Sequence, residues 1–150
     1  MAAIMKLSTK GRYGVRLMLD LALHNGEAPV LLKDIAKRQG ISEKYLWNLI
    51  NPLKAVGLVH SIRGAHGGYK LAKKPSEISL KDIMRVLEGS LCFVDCVETP
   101  SACERSPSCI SRDVWCEASQ NFLRTLEAMT LEKMVERHRG KAEATAEYSI

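Results

Sequence analysis

Two short alternating segments on either side of a glycine-rich turn constrain the fold of this chain more than any other feature. Apolar and polar residues alternate over 58–63 (Leu-Val-His-Ser-Ile-Arg) and again over 69–72 (Tyr-Lys-Leu-Ala), the pattern of β-strands. The intervening residues 64–68 include three glycines, which permit the positive φ angles of a tight turn. The pattern predicts a β-hairpin that carries basic side chains.

The residues before the hairpin have helical patterns. Residues 11–23 are apolar almost all round, which is typical of a buried central helix. Residues 31–39 predict a short second helix that ends at Gly40, and Ser42 is suited to cap a third helix that runs to about Val56. Two short helices joined by a glycine-containing turn and followed by a basic hairpin are typical of a winged helix-turn-helix that binds DNA.

The third helix of this pattern separates into two faces. Its leucine and isoleucine residues share one stripe, whereas polar residues and a tryptophan occupy the other, and asparagine and lysine suit base edges and phosphates respectively. A solvated polar face on a core helix is the alternative, which the neighbouring hairpin disfavours. Pro52 is expected to kink this helix or split its last turn. The predicted DNA-contacting residues of helix and hairpin are Ser42, Lys44, Tyr45, Trp47, Asn48, Asn51, Arg63, His66 and Lys70.

The distribution of charge agrees with a nucleic-acid partner. The formal net charge is +5, but residues 1–76 contain 13 lysines and arginines against 4 acidic residues, whereas residues 77–150 contain 9 against 13. A positive half attracts polyphosphate. Because lysine-rich surfaces also occur without nucleic acid, charge alone does not establish the function. The four histidines are scattered, which argues against an enzyme.

The second half of the chain predicts further helices. Ser79 and Asp82 have the spacing of a capping box that opens a short helix over 80–87. Residues 90–111 have no helical period, and a long amphipathic helix is expected from about Asp113. Its apolar stripe must pack on the first helix or on a partner subunit, and both are consistent with dimerisation. The stripe comprises Trp115, Ala118, Phe122, Leu126 and Met129.

These patterns divide the chain into four parts: a winged helix-turn-helix domain over 1–89, a cysteine loop over 90–112, a dimerisation region over 113–139 and a tail over 140–150. Within the third part Thr130 is suited to cap a helix over 131–138, and the tail is expected to be disordered. Residues 1–4 are an alternative start or an expression remnant. The sequence has neither an 18-residue apolar run nor the pattern of a secretion signal, which predicts a cytoplasmic protein without a membrane partner.

Five cysteines lie within 25 residues, at positions 92, 96, 103, 109 and 116. Nothing marks the chain as secreted, so a disulfide framework is not expected. Thiolates are soft ligands that suit zinc, copper(I) or an iron–sulfur cluster. The absence of a CxxC pair disfavours zinc, and wider spacing on a loop suits a cluster. Thiol redox sensing without a cofactor remains the other interpretation.

Three segments together resemble a known family: residues 5–13 (MKLSTKGRY), 40–46 (GISEKYL) and 57–69 (GLVHSIRGAHGGY). The chain resembles the Rrf2 family of bacterial transcription regulators from residue 5 to about 138. The resemblance implies a mainly α fold with a small β-hairpin wing, operator DNA binding and dimerisation through a long C-terminal helix. It places the cysteine loop between the wing domain and that helix.

The resemblance also implies a cofactor. In members with a [2Fe–2S] cluster three cysteines precede a tryptophan, and Cys96, Cys103 and Cys109 match those positions ahead of Trp115. Arg112 and Arg12 stand where two branches of the family place the fourth ligand, and arginine cannot ligate iron. The open candidates for that ligand are Cys92, Cys116, Glu98, Glu104 and Asp113.

The resulting hypothesis is a homodimeric regulator that senses iron–sulfur, redox or nitric-oxide status. The alternative is a cluster-free regulator of cysteine or sulfur metabolism that uses bare thiols or a partner protein. An iron–sulfur assembly protein or a protein of cysteine metabolism would be such a partner. A zinc-stabilised adaptor is a further class, which would bind DNA without sequence preference or not at all.

Overall fold

The computed structural model describes residues 7–149, so the question about residues 1–4 lies outside the described residues. The long elements run in the order three helices, hairpin, helix, short helical turn and two helices. They are α1 (Thr9–Leu23), α2 (Leu32–Gln39), α3 (Glu43–Ala55), β1 (Val59–Ile62), β2 (Gly68–Leu71), α4 (Leu80–Glu88), α5 (Asp95–Glu98), α6 (Ile110–Ala128) and α7 (Leu131–Tyr148). Three 3-10 turns occupy Pro75–Glu77, Pro100–Ala102 and Ser106–Ser108.

The predicted mainly helical fold with one small hairpin is confirmed. β1 and β2 pair antiparallel from Val59 opposite Leu71 to Ile62 opposite Gly68. Val30 forms an additional bridge to Tyr69, which ties the segment before α2 to the hairpin. The core beneath these elements is built from buried aliphatic side chains of α1, α2, α3 and α4, among them Leu17, Leu21, Ile35, Leu46, Leu49, Leu53 and Ile83.

Local signals in the sequence set the bounds of α2 and α3. Gly40 ends α2 with a φ of 65°, a left-handed conformation that glycine adopts without steric cost. The Ser42 hydroxyl accepts a hydrogen bond from the Tyr45 N–H at 3.1 Å and so caps α3. Pro52 lies inside α3, which nevertheless continues to Ala55, so the helix is not split there. Burial of Leu49, Ile50 and Leu53 in the core holds this last turn in place.

α1 approaches α4 closely because it carries glycine at the contact. A Cβ placed on Gly14 would lie 1.9 Å from Cδ1 of Leu87, a distance that no side chain can accept. At the start of α1 the backbone N–H and hydroxyl of Ser8 donate to Oε1 of Glu88 at 3.1 and 2.5 Å. Sequence and packing therefore fix α4 against the N-terminal half of α1.

α6 begins at Ile110, three residues before the predicted start, and the loop ahead of it contains short helical turns that the sequence did not reveal. Each turn spans only three or four residues, too short for a helical period to appear. At its C-terminal end α6 packs on α4, where Leu126 is buried and Glu127 pairs with Lys81 at 3.2 Å.

α7 contradicts the prediction of a disordered tail from Gly140. The hydroxyl of Thr130 caps this helix as predicted, accepting from the Lys133 N–H at 3.3 Å, but the helix continues to Tyr148. The residues after Gly140 are rich in alanine, glutamate and lysine, which favour helix, and they outweigh the cost of about 1 kcal/mol of one internal glycine. No helix in residues 7–149 is long and apolar enough to span a membrane.

Two backbone hydrogen bonds join the α6–α7 junction to the start of α4. The N–H of Leu80 donates to the Met129 carbonyl at 2.8 Å, and the N–H of Leu131 donates to the Ile78 carbonyl at 2.9 Å. Leu131 and Val135 are buried against the core on the side of α1. The C-terminal helices are therefore joined to the N-terminal domain by these two hydrogen bonds together with their packing on α1 and α4.

Candidate DNA-binding surface and cysteine loop

α3 presents a polar face to solvent and an apolar face to the core. Lys44, Trp47 and Asn48 are exposed, Trp47 by 54%, and Asn51 is half-buried at the edge of the same face. Leu46, Leu49, Ile50 and Leu53 on the opposite face have no exposure. A recognition helix requires this division, because the inner face fixes its position and the outer face is left for base edges.

Tyr45 differs from the other predicted contacts on α3. Its ring is half-buried and packs edge-on against Tyr13, with the ring centroids 5.9 Å apart. The guanidinium carbon of Arg16 lies 5.3 Å from the centre of the Tyr13 ring. Tyr45 therefore helps to join α3 to α1, and the adjacent Ser42 caps the helix while remaining exposed.

The hairpin extends the positive surface beside α3. Arg63 and His66 are exposed at its tip, and Lys70 on β2 is half-buried and paired in register with His60. Lys73 and Lys74 follow β2 and are exposed. The hairpin, called the wing below, thus presents cationic and imidazole side chains suited to phosphate oxygens.

A buried carboxylate connects α1 and α2, and the sequence reasoning missed it. Asp20 is 2% exposed and accepts from Arg38 at 3.0 Å through Nε and at 2.6 Å through an Nη atom, and from Gln39 at 3.0 Å. Burial by itself would raise the pKa of Asp20, but the hydrogen bonds from Arg38 and Gln39 and the nearby positive charge outweigh it and hold the pKa below 3.8. The only sequence signal was an acidic residue within an otherwise apolar helix.

Glu43 is a second residue that the sequence reasoning did not select. It is exposed in the first turn of α3, directly after the capping Ser42 and on the outer end of the helix. A carboxylate there is able to accept a hydrogen bond from cytosine N4. Its position next to the cap was the available signal, because the N-terminal residues of a recognition helix are the ones that reach base edges.

The cysteine side chains share one region but do not converge. All five are free thiols, with Cys103 exposed and the other four half-buried. Within residues 7–149 no three cysteine, histidine or acidic side chains lie close enough together to hold a metal ion. Arg112 lies in the first turn of α6 and donates to the carbonyl of Cys96 at 2.8 Å. The [2Fe–2S] site at Cys96, Cys103 and Cys109 therefore stays a prediction.

The first half of α6 exposes large apolar side chains. Ile110 is 75% exposed, Val114 53% and Trp115 45%, and the nearby Phe93 is 40% exposed. Phe93 also packs on Phe122, with ring centroids 5.9 Å apart. Only the C-terminal part of the predicted stripe, at Leu126, is buried within the chain, so the N-terminal part remains available to another surface.

The family of the chain follows from comparison with known proteins. A family model described as "Rrf2: Iron-dependent Transcriptional regulator" matches residues 7–137. The chain belongs to the Rrf2 family. It is a DNA-binding transcription regulator and not an enzyme.

Individual relatives match most of the chain. Protein rrf2 of Nitratidesulfovibrio vulgaris is 46% identical over 127 residues, 85% of each sequence. The solved structure of CymR (YrzC), described as the global cysteine regulator of B. subtilis, has a TM-score of 0.76 and 41% identity, with 89% of this chain and 98% of that chain covered. T. potens IscR has a TM-score of 0.74 and 46% identity, with coverage of 89% and 88%. These similarities confirm the predicted winged-helix class.

Proposed function

We propose that this Rrf2-family regulator acts in the cytoplasm as a homodimer that binds operator DNA with α3 in the major groove. The observation that carries the proposal is the exposed polar face of α3 beside the basic wing, opposite a fully buried apolar face. The wing would contact the neighbouring backbone or groove through Arg63 and His66. Two α3 helices in a dimer would read half-sites about one DNA turn apart.

The exposed apolar half of α6 supports dimerisation through that helix. Ile110, Val114 and Trp115 form a contiguous patch on a helix that is otherwise attached to the domain. A second copy of the same helix is the occupant that a two-fold interface requires, because such an interface uses the same patch on both subunits. Residues 113–139 would then be the dimer region and residues 1–89 the DNA-binding domain.

A titration of operator DNA tests the DNA-binding part of the proposal. Fluorescence anisotropy is measured with an operator selected from a random library and with a scrambled duplex of the same length, across a series of salt concentrations. We expect at least a thousandfold preference for the operator and an affinity that falls steeply with salt. Equal affinity for both duplexes would contradict sequence-specific binding and support a general adaptor.

The loop over residues 90–112 is the proposed sensor, with a [2Fe–2S] cluster bound by Cys96, Cys103 and Cys109. The family description as iron-dependent and the soft-ligand chemistry of three thiols in one loop support this assignment. Because the thiols do not converge in the described arrangement, binding requires the loop to close and a fourth ligand to be supplied, for which Cys92 and Cys116 are the thiol candidates. When bound, the cluster would supply a centre that responds to oxidants or nitric oxide.

Thiol chemistry without a cluster is the second candidate for the sensor. It is favoured by the exposure of Cys103 and by the separation of the cysteine side chains. Similarity to CymR, a global cysteine regulator, points to signals from cysteine metabolism or to a partner protein. In either case the signal changes DNA binding only to the extent that it binds or modifies one form of the dimer in preference to the other.

Purification without oxygen distinguishes these two sensors. A cluster predicts coloured protein with about two irons and two sulfides per chain, and Cys103→Ala should abolish the visible absorbance while Ser101→Ala retains it. Colourless protein that still binds the operator would contradict the cluster hypothesis and support thiol chemistry as the sensor. Full absorbance in Cys103→Ala would exclude Cys103 as a ligand.

A further inference from the structure

A surface groove in the cysteine loop brings charged side chains together beside Cys103, one of the proposed cluster ligands, and Glu104, one of the candidates for the fourth ligand. It has a volume of about 450 Å³ and lies between the 3-10 turns of the loop and the first turn of α6. Its walls are formed by Pro100, Ser101, Cys103, Glu104, Ser106, Pro107 and Arg112. The groove therefore combines two proline rings with one cation, one anion, two hydroxyls and a thiol.

One buried polar group of this groove, the hydroxyl of Ser106, lacks a hydrogen-bond partner among the described residues. Ser106 is 7% exposed, and its buried Oγ makes no hydrogen bond to the part of the chain that the structure describes. A buried hydroxyl without a partner is unfavourable, and a bound ligand removes the cost when the hydroxyl turns toward it. The structure therefore contains a polar side chain whose partner is not supplied by residues 7–149.

The two charged groups of the groove are likewise without ion pairs. Arg112 uses Nε for the carbonyl of Cys96 and forms no ion pair within residues 7–149, so its terminal N–H groups are available. Glu104 is exposed and forms no ion pair in the same range. A guanidinium is suited to a carboxylate, and a carboxylate is suited to an ammonium group.

We propose that this groove binds a zwitterionic free amino acid with a small sulfur-containing or apolar side chain. Arg112 and the Ser106 hydroxyl would hold the ligand carboxylate, and Glu104 would hold its ammonium group. The ligand side chain would lie against Pro100, Pro107 and the Cys103 thiol. This inference rests on the cluster-free form of the proposed sensor, because Cys103 and Glu104 line the groove and are not then used as cluster ligands. It names the ligand class to which that sensor responds.

Isothermal titration of the anaerobically purified full chain with S-methyl-L-cysteine tests the site, because this probe cannot form a disulfide. We expect saturable binding that weakens at least tenfold for the N-acetyl analogue, which lacks the ammonium group. Binding of the methyl ester, which lacks the carboxylate, should be weaker to a similar extent. Iron content is measured on the same sample.

Matched variants connect each charge of the probe to one side chain. Glu104→Gln should weaken the binding of the amino acid about tenfold and leave the affinity for the N-acetyl analogue unchanged. Arg112→Gln should weaken the binding of the amino acid and leave the affinity for the methyl ester unchanged. Asp95→Asn, in the same loop but outside the groove, should alter the binding of neither ligand. These pairings separate a lost contact from a misfolded loop.

Two results would overturn the site: no heat of binding with 10 mM probe, or equal losses for all ligands in both groove variants. Operator affinity without the probe is measured on every variant and should not change. Loss of the amino-acid site with intact operator binding would thus refute this inference alone. Loss of operator binding in the wild-type chain would refute the proposed function instead.

Discussion

Among residues 7–149 Asp20 is the one buried carboxylate, and its strongest partners come from a different helix. The side chain joins α1 to α2 through Arg38 and Gln39, and Arg16 in turn donates to Gln39 at 3.2 Å. These residues fix the angle between the central helix and the first helix of the helix-turn-helix. Because α2 supports α3, this network determines how the recognition helix is presented.

Arg38→Ala should lower the free energy of unfolding by about 2 kcal/mol, because it leaves the buried Asp20 carboxylate without its main donor. Urea denaturation at neutral pH measures the change. Lys37→Ala is the matched control, since Lys37 is exposed on the same helix. Similar effects for both variants would show that the ion pair contributes little.

The same carboxylate predicts a pH dependence. Its pKa is depressed in the folded state, so its contribution to stability is present above the unfolded pKa of about 3.9 and is lost as pH falls through the folded pKa. The stability difference between the wild type and Asp20→Asn should therefore shrink between about pH 5 and about pH 3. A constant difference over that range would contradict a depressed pKa.

Asn48 and Arg63 should have different effects on DNA binding. Asn48→Ala should weaken operator binding by about 1–3 kcal/mol and leave binding to a scrambled duplex unchanged, because an amide on α3 reads base edges. Arg63→Ala on the wing should weaken both and reduce the slope of log affinity against log salt by about 1. The anisotropy titration measures both. An equal loss of affinity for both duplexes in Asn48→Ala would indicate that Asn48 contacts phosphate rather than base edges.

The contact between α1 and α4 depends on the absence of a side chain at Gly14. Gly14→Ala would force its Cβ into Leu87 and should cost about 1–3 kcal/mol. Gly140→Ala is the control, since Gly140 lies in the exposed part of α7 with no heavy atom within 4 Å of an added Cβ, and it should stabilise the helix by up to about 1 kcal/mol. Thermal denaturation followed by circular dichroism measures both variants.

At the scale of helices and strands, the sequence predicts the features that depend on residues close together in the chain. The caps at Ser42 and Thr130, the end of α2 at Gly40 and the hairpin all come from local chemistry, and all are confirmed. The sequence analysis missed the continuation of α7 because Gly140 and the polar residues after it indicate a disordered tail. The alanine, glutamate and lysine residues in this segment nevertheless favour helix.

The sequence does not reveal contacts between distant residues. Asp20 and Arg38 are 18 positions apart, and no pattern announces their pairing. The arrangement of the cysteine loop was likewise not predictable, since spacing gives the number of thiols but not the direction of their side chains. Tyr45 was assigned to the DNA-facing side on sequence grounds, and its half-buried contact with Tyr13 depends on how α1 crosses α3.

At the scale of the whole molecule, we expect the exposed half of α6 to determine the oligomeric state. Val114→Glu together with Trp115→Glu should convert a dimer to a monomer, because charges replace the centre of the apolar patch. Sedimentation equilibrium measures the state, and operator affinity should fall with it as one half-site is lost. Gln120→Glu, on exposed surface of the same helix, should remain dimeric. A double variant that stays dimeric would show that the dimer interface does not include this patch of α6.

The hydrogen bonds at Leu80 and Leu131 make α6 a lever with its pivot at Met129. With 19 residues, the arm is about 28 Å long, so a displacement of about 2.5 Å at Ile110 corresponds to a rotation of only about 5° at the pivot. A displacement of that size in the cysteine loop would therefore reach the N-terminal domain as a rotation of only a few degrees.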